Sequence, residues 1–215
     1  HRSIGVVSPV DFIPLAEDTG LILPIGEWVL ATACEQIAVW NATVAIDRPL
    51  FMSVNVAPAQ LTDSNMTKIV DTALHKTGLD PKQLTLELTE RSVLDDTGRA
   101  REVITGLRER GIQFALDDFG TGYSSLSCLH ELPFDRIKID RSFLMDASIN
   151  KQVVVQAIVD LAHQLGRETV AEGIESEEQR EGMNAMGCDL AQGYAFAEPL
   201  SADDARMLIY SGGVF

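Results

Sequence analysis

Residues 112–140 read IQFALDDFGTGYSSLSCLHELPFDRIKID, and this stretch decides the fold. IQFAL is a short, β-rich apolar run that stops against two aspartates, Asp117 and Asp118. Two glycines and small polar residues then lead into a helical pattern over 124–131. RIKID follows as a second strand-like run, with Lys138 inside it. Strand, helix and strand in so short a span make a βαβ unit, and such units build parallel sheets.

The same rhythm continues in both directions. FMSVN ends at Asn55, LTLEL surrounds Glu87, ETVAE ends at Glu172 and DLAQGY surrounds Gln192, giving six strand-like runs. Helical patterns lie between them at 66–76, 98–110, 152–165 and 176–186, and another covers 202–210. Ahead of the first strand, SPVDFIPLAEDTG (8–20) opens on a serine cap with proline at the first helical position and closes on glycine, which predicts a short helix. A longer one is predicted over 24–40. The strand-to-strand spacing is about 27 residues, close to the roughly 31 of a (β/α)8 barrel. A doubly wound open sheet is the alternative, but no GxGxxG follows any strand, which counts against its dinucleotide-binding version. The expected fold is therefore α/β, a TIM-like (β/α)8 barrel. Only six strands are visible and HRSIGVVSP (1–9) has neither cap nor strand, so the first two strands are expected to be missing from this chain.

Composition narrows the function. The 215 residues carry 17 Lys and Arg against 32 Asp and Glu, a net charge of −15. Such a surface repels phosphates at long range, so a DNA or RNA polymer is not an expected partner. No uninterrupted apolar run approaches the 18 or so residues of a membrane helix, and the beginning does not read as a signal peptide. Cys34, Cys128 and Cys188 are odd in number and form no CxxC, which fits reduced thiols in a cytoplasmic protein.

Each of the six strands carries, at or near its C-terminal end, a residue able to do chemistry: Asn55, Glu87, the pair Asp117–Asp118, Lys138, Glu172 and Gln192. One acid after a strand is ordinarily a helix cap. Independent capping has no reason to choose asparagine, lysine and glutamine as well. In a barrel these ends converge on one mouth, where active sites are built. Four acids there repel one another by about 4 kcal/mol per pair at 4 Å and an effective dielectric of 20. Lys138 neutralises only one of them, so the remainder call for cations. Oxygen ligands without histidine or cysteine suit Mg²⁺ or Mn²⁺ rather than Zn²⁺. Adjacent Asp117 and Asp118 would serve two neighbouring ions, the arrangement used in phosphoester hydrolysis. The four histidines (His1, His75, His130 and His163) fall on the terminus or on helices, and no Ser/His/Asp or Cys/His arrangement supports covalent catalysis. Asp118-Phe119-Gly120 lacks every companion motif of a protein kinase.

Residues 117–143, DDFGTGYSSLSCLHELPFDRIKIDRSF, resemble the central signature of the EAL-domain cyclic-di-GMP phosphodiesterases. SPVDFIPLAEDTGLILPIGEWVL, SVNVAPAQL, LELTE, VAEGIE and AQGYAFAEPL are similar to other blocks of that family, in order. The resemblance implies a TIM-like barrel that binds two Mg²⁺ or Mn²⁺ ions and cyclic-di-GMP, and hydrolyses one phosphodiester bond to give linear pGpG. By position it implies Asn55, Glu87, Asp117, Asp118 and Glu172 as metal ligands, with Glu172 also acting in catalysis. Lys138 matches the lysine beside the attacking water and phosphate. Gln192 matches a glutamine supporting water or substrate. Glu90 matches the glutamate that steadies the loop after the paired aspartates, a loop that also helps to form a homodimer in this family.

The Glu-Ala-Leu motif that names the family is absent, and its glutamate is a metal ligand in active members. Residues 1–215 are therefore expected to be a single EAL-type domain that is incomplete at its N terminus, fused upstream to GGDEF or sensor domains or to a membrane anchor. Two smaller departures are Arg91 and Glu198, neither of which removes a ligand. A catalytically inactive cyclic-di-GMP receptor is the alternative, and a barrel enzyme acting on another phosphodiester is a third reading. Retention of every ligand that the chain is long enough to contain favours the enzyme.

Overall fold

Among the described residues, six short strands pair in the order in which they occur in the chain, and every pairing is parallel. They are β1 (Met52–Asn55), β2 (Leu84–Thr89), β3 (Gln113–Phe119), β4 (Arg136–Ile139), β5 (Glu168–Ala171) and β6 (Leu190–Ala191). The computed structural model describes residues 3, 5–43, 49–90, 92, 97–120, 133–145 and 149–211. The helices are α1 (Pro9–Asp18), α2 (Ile22–Thr43), α3 (Pro58–Thr62), α4 (Met66–Thr77), α5 (Thr97–Glu109), α6 (Ile149–Gln164), α7 (Glu177–Ala185) and α8 (Ala202–Tyr210). The sheet is curled into part of a TIM-like barrel with helices outside it, as the strand–helix spacing predicts. The helix expected over 124–131 lies outside the described residues, as does Cys128.

The central strands β2, β3 and β4 are buried on both sides along most of their length, which is what a parallel sheet covered by helices requires. In β2, Leu84, Leu86 and Leu88 are fully buried among the helices, while Thr85 and Glu87 are buried on the opposite face. In β4, Ile137 and Ile139 alternate with Arg136 and Lys138 in the same way. Strands β2 and β4 are not neighbours, so a contact between them must cross the concave side of the sheet. Two such contacts exist. An Arg136 guanidinium N–H donates to Thr85 Oγ1 at 2.8 Å, and Lys138 Nζ donates to Glu87 Oε2 at 2.6 Å. The interior thus holds polar side chains in two tiers, two residues apart along each strand.

The lower tier closes the N-terminal end. Arg136 also donates to Glu168 Oε2 at 2.9 Å and stacks over the Phe51 ring, 4.3 Å from its centroid. A buried arginine is stable only when its donors are met, and here a hydroxyl, a carboxylate and an aromatic face meet them. Nearby, His163 Nε2 lies 2.9 Å from Asp189, whose carboxylate also accepts from Thr169. That histidine has a packing role, as its helical position predicts.

Helix α2 corrects one expectation. Its 22 residues carry only Glu27 and Glu35 as charges, and an 18-residue stretch of it, with a mean hydropathy of 1.3, is long and apolar enough to cross a membrane. Scattered polar residues break its apolar runs without lowering its average, which is why reading for uninterrupted runs overlooks it. Leu30, Cys34 and Ile37 bury one side of it in the core beside β1 and α4. Burial pushes the Cys34 thiol up to about 11, so it is an unreactive core group, and Cys34 and Cys188 are both free.

Candidate metal centre at the strand ends

The paired aspartates lie inside β3, not after it as the run of apolar residues suggests. Strict alternation would send Asp117 and Asp118 to opposite faces. The ladder to β4 prevents this, because its register slips between Leu116 and Phe119, and Asp118 adopts a left-handed φ of 56°. A bulge of this kind re-aims side chains at the end of a strand. Oxygens of Asp117, Asp118 and Glu172 thereby lie within 4.8 Å of one another, a spacing able to hold a metal ion. The Asp118 N–H donates to Asp117 Oδ1 at 3.0 Å and helps to hold the kink.

Lys138 stands at the centre of this upper tier and is almost fully buried. Its ammonium is 2.6 Å from Glu87 Oε2, 2.6 Å from Glu172 Oε1 and 3.1 Å from Asp117 Oδ1. Burial opposes its charge. The Glu87 and Asp117 carboxylates, with hydrogen bonds to Glu172 and Glu87, overcome that opposition and hold its pKa well above the usual lysine value. One ammonium does not satisfy three acids. Burial pushes Glu172 up to about 6 despite its bond to Lys138. Asp118 is raised as well, by burial first and then by the Asp117 and Asp140 charges. Two carboxyls raised chiefly by burial, in one mouth with Glu87 and Asp117, mark a candidate site, and an oxygen-only set of donors fits a hard divalent cation.

The remaining expected residues surround this cluster. Asn55 is aligned with Glu87 in the β1–β2 ladder, which puts both at the same level of the mouth. Gln192, just past β6, donates from Nε2 to Glu172 Oε1 at 2.7 Å. Glu90 is buried one residue past β2, while the loop it is expected to steady lies mostly in 121–132, outside the described residues. The surface expected to form the dimer lies there too.

Two features escape the strand-end reading. Asp140, one residue beyond β4, contributes to the raised pKa of Asp118. Its own carboxyl is held below the usual range, against the pull of burial, by hydrogen bonds from Ser142 and Arg141. The strand-end rule, applied to RIKID as a whole, finds it. Beside Gln192 a cleft of about 360 Å³ is lined by Arg141, Glu175, Tyr194 and Glu198 among others. Its residues come from the loops after β4, β5 and β6, a convergence that only the fold reveals.

Fold and site together define a TIM-like α/β protein with an acid-rich, lysine-centred mouth. The chain belongs to the EAL domain family, whose model matches residues 1–199. It is 40% identical over 202 residues to a cyclic di-GMP phosphodiesterase of Pseudomonas aeruginosa, covering 93% of this chain and 34% of that protein. It is 38% identical over 205 residues to MucR of the same bacterium, a bifunctional diguanylate cyclase/cyclic di-GMP phosphodiesterase, covering 94% and 30%. Among solved structures, the PaMucR phosphodiesterase in complex with c-di-GMP has a TM-score of 0.89 at 37% identity, over 95% of this chain and 83% of that one. The EAL enzyme Bd1971, with cAMP and cyclic-di-GMP bound, has a TM-score of 0.92 at 31% identity, over 97% and 57%. The chain spans about a quarter to a third of the length of the curated relatives it matches.

Proposed function

We propose that this domain hydrolyses one phosphodiester bond of cyclic-di-GMP to give linear pGpG, with two Mg²⁺ or Mn²⁺ ions held by Asn55, Glu87, Asp117, Asp118 and Glu172. The observation that carries the reading is the convergence of Asp117, Asp118 and Glu172 oxygens beside Lys138. Family membership, and relatives named for this activity, support the choice of substrate. Bound divalent ions supply a water of lowered pKa and neutralise charge on the leaving oxygen.

The chain's own residues supply the rest. Lys138 keeps its charge at any working pH and offers it to a phosphate oxygen in a mouth otherwise lined by acids. Glu172, raised by burial to about 6 while no cation is bound, would be held ionised by the ions and could accept a hydrogen bond from the attacking water. Gln192 fixes the orientation of that carboxylate through its Oε1. Glu90 steadies the loop after Asp118, which forms a homodimer contact. We further propose a cytoplasmic domain within a longer signalling protein, joined to GGDEF or sensor modules.

The test is turnover of cyclic-di-GMP to pGpG with Mg²⁺ or Mn²⁺, comparing these 215 residues with the same chain extended upstream by about fifty. Metal-dependent production of pGpG supports the reading. Tight binding without turnover in the extended form makes the domain a receptor, and neither binding nor turnover removes cyclic-di-GMP from consideration.

A further inference from the structure

The chain leaves β1 at Asn55 and must turn at once, because Pro58 opens α3. Two backbone N–H groups in this turn find different partners. That of Val56 donates to the Glu87 carbonyl at 3.0 Å, which ties the turn to β2. That of Ala57 donates to Oε1 of Gln60 at 3.0 Å, and Gln60 returns its own N–H to the Ala57 carbonyl at 3.0 Å. The Gln60 side chain thus closes a ring around the residues that follow Asn55.

Gln60 is only 8% exposed, which is unusual for a glutamine. Its amide reaches this position because α2 offers it bare backbone. A Cβ built on Gly26 would lie 2.0 Å from Gln60 Nε2 and 2.8 Å from Oε1. Any side chain at position 26 displaces the amide and releases the Ala57 N–H. Glycine inside a helix is less stabilising than alanine, so the seat is held at the expense of α2 itself. Asn55 lies two residues before Ala57, at the end of the strand that leads through Val56 into the turn that Gln60 holds.

We infer that Gln60 is a positioning residue for Asn55 and that Gly26 is the seat on which it depends, so that α2 helps to set the cation affinity of the mouth. The inference rests on the proposed role of Asn55 as a ligand. Supporting groups around metal ligands commonly change affinity by 10- to 100-fold when removed.

The test measures Mn²⁺ binding to the full chain by electron paramagnetic resonance, without substrate. Gly26→Ala and Gln60→Ala are each expected to weaken binding by about 10-fold, the lower end for a supporting group. In the double variant the new Cβ has no amide to strike, so the loss stays near 10-fold instead of multiplying to about 100-fold. Gln60→Glu retains an Oε acceptor for the Ala57 N–H and is expected to recover most of the affinity. Folded variants with a lowered melting temperature but wild-type Mn²⁺ affinity overturn the inference, as does a multiplicative double variant. Turnover by a wild type whose variants bind normally removes the positioning role and spares the function. Variant-sensitive Mn²⁺ binding without turnover does the reverse, and a wild type that binds no Mn²⁺ overturns the inference, while the function is decided by the form extended upstream.

Discussion

Lys138 Nζ and Glu172 Oε1 meet at 2.6 Å across the β4–β5 pair, one of three ion pairs that this ammonium makes among the described residues. The same ammonium serves Glu87 and Asp117. It therefore acts as the resident cation of the mouth before any metal enters.

Removing that cation has two separable effects. Lys138→Ala leaves buried Glu87 without its partner, and breaking a buried ion pair on one side typically costs about 3–5 kcal/mol. The metal-free variant is expected to melt well below the wild type, and to recover more of its melting temperature on addition of Mg²⁺. In turnover assays it is expected to bind substrate and lose about 10²-fold in kcat, as does loss of one positioned charge-stabilising group. A normal kcat in the folded variant assigns Lys138 a structural role alone.

Stability should depend on pH through Glu172. Its folded value of about 6 exceeds the ordinary 4.5, so the folded state holds its proton more tightly than the unfolded chain. Ionised Glu172 weighs against the fold above pH 6, and protonation relieves this as the pH falls from about 6 to 4.5. From this group, the metal-free protein gains stability between pH 7 and pH 5. Bound cations favour the ionised form, so Mg²⁺ is expected to raise the melting temperature more at pH 7 than at pH 5. Thermal melts at both pH values, with and without Mg²⁺, decide it; equal increments would exclude Glu172 as a ligand. Asp189, whose pKa is lowered, contributes stability that is lost only as the pH falls below about 3.8, outside this window.

Asp118 separates stability from function. Its left-handed φ disfavours most side chains, whereas asparagine tolerates that region, and its charge sits against Asp117 and Asp140. Asp118→Asn is expected to keep or raise the melting temperature while abolishing metal-dependent turnover. Asp118→Ala loses both. An active, stable Asp118→Asn protein would show that the carboxylate is dispensable.

The proposed ligands Glu87 and Asp117 admit a simpler test. Glu87→Ala and Asp117→Ala are each expected to abolish turnover at saturating Mg²⁺, read directly as pGpG formed. Retained activity in either sinks that residue's assignment.

The fold was legible because strands in a parallel sheet announce themselves by period and composition, and because each carries its functional group at the same end. The bulge at Asp117–Asp118 was not legible. A two-residue acidic pair reads as the residue after a strand, and only the slipped register shows that both belong to it. Arg136 was also missed, since a charge at the start of a strand looks like surface until Thr85, Glu168 and Phe51 are brought around it. Gln60 and Gly26 are 34 positions apart, and no local pattern connects them.

Strand order in the sheet equals strand order in the chain, so the order of synthesis is also an order of assembly. Each new strand finds its neighbour already made, and closing each interval involves only one short crossover. The acids of β2 and β3 are brought together before Lys138 emerges on β4, and Glu172 and Gln192 come later still. A polypeptide interrupted before β5 carries most of its sheet and an unbalanced cluster of negative charge, yet no working mouth. Glu172 and Gln192 arrive only after β5 and with β6, so the proposed site is completed last of all.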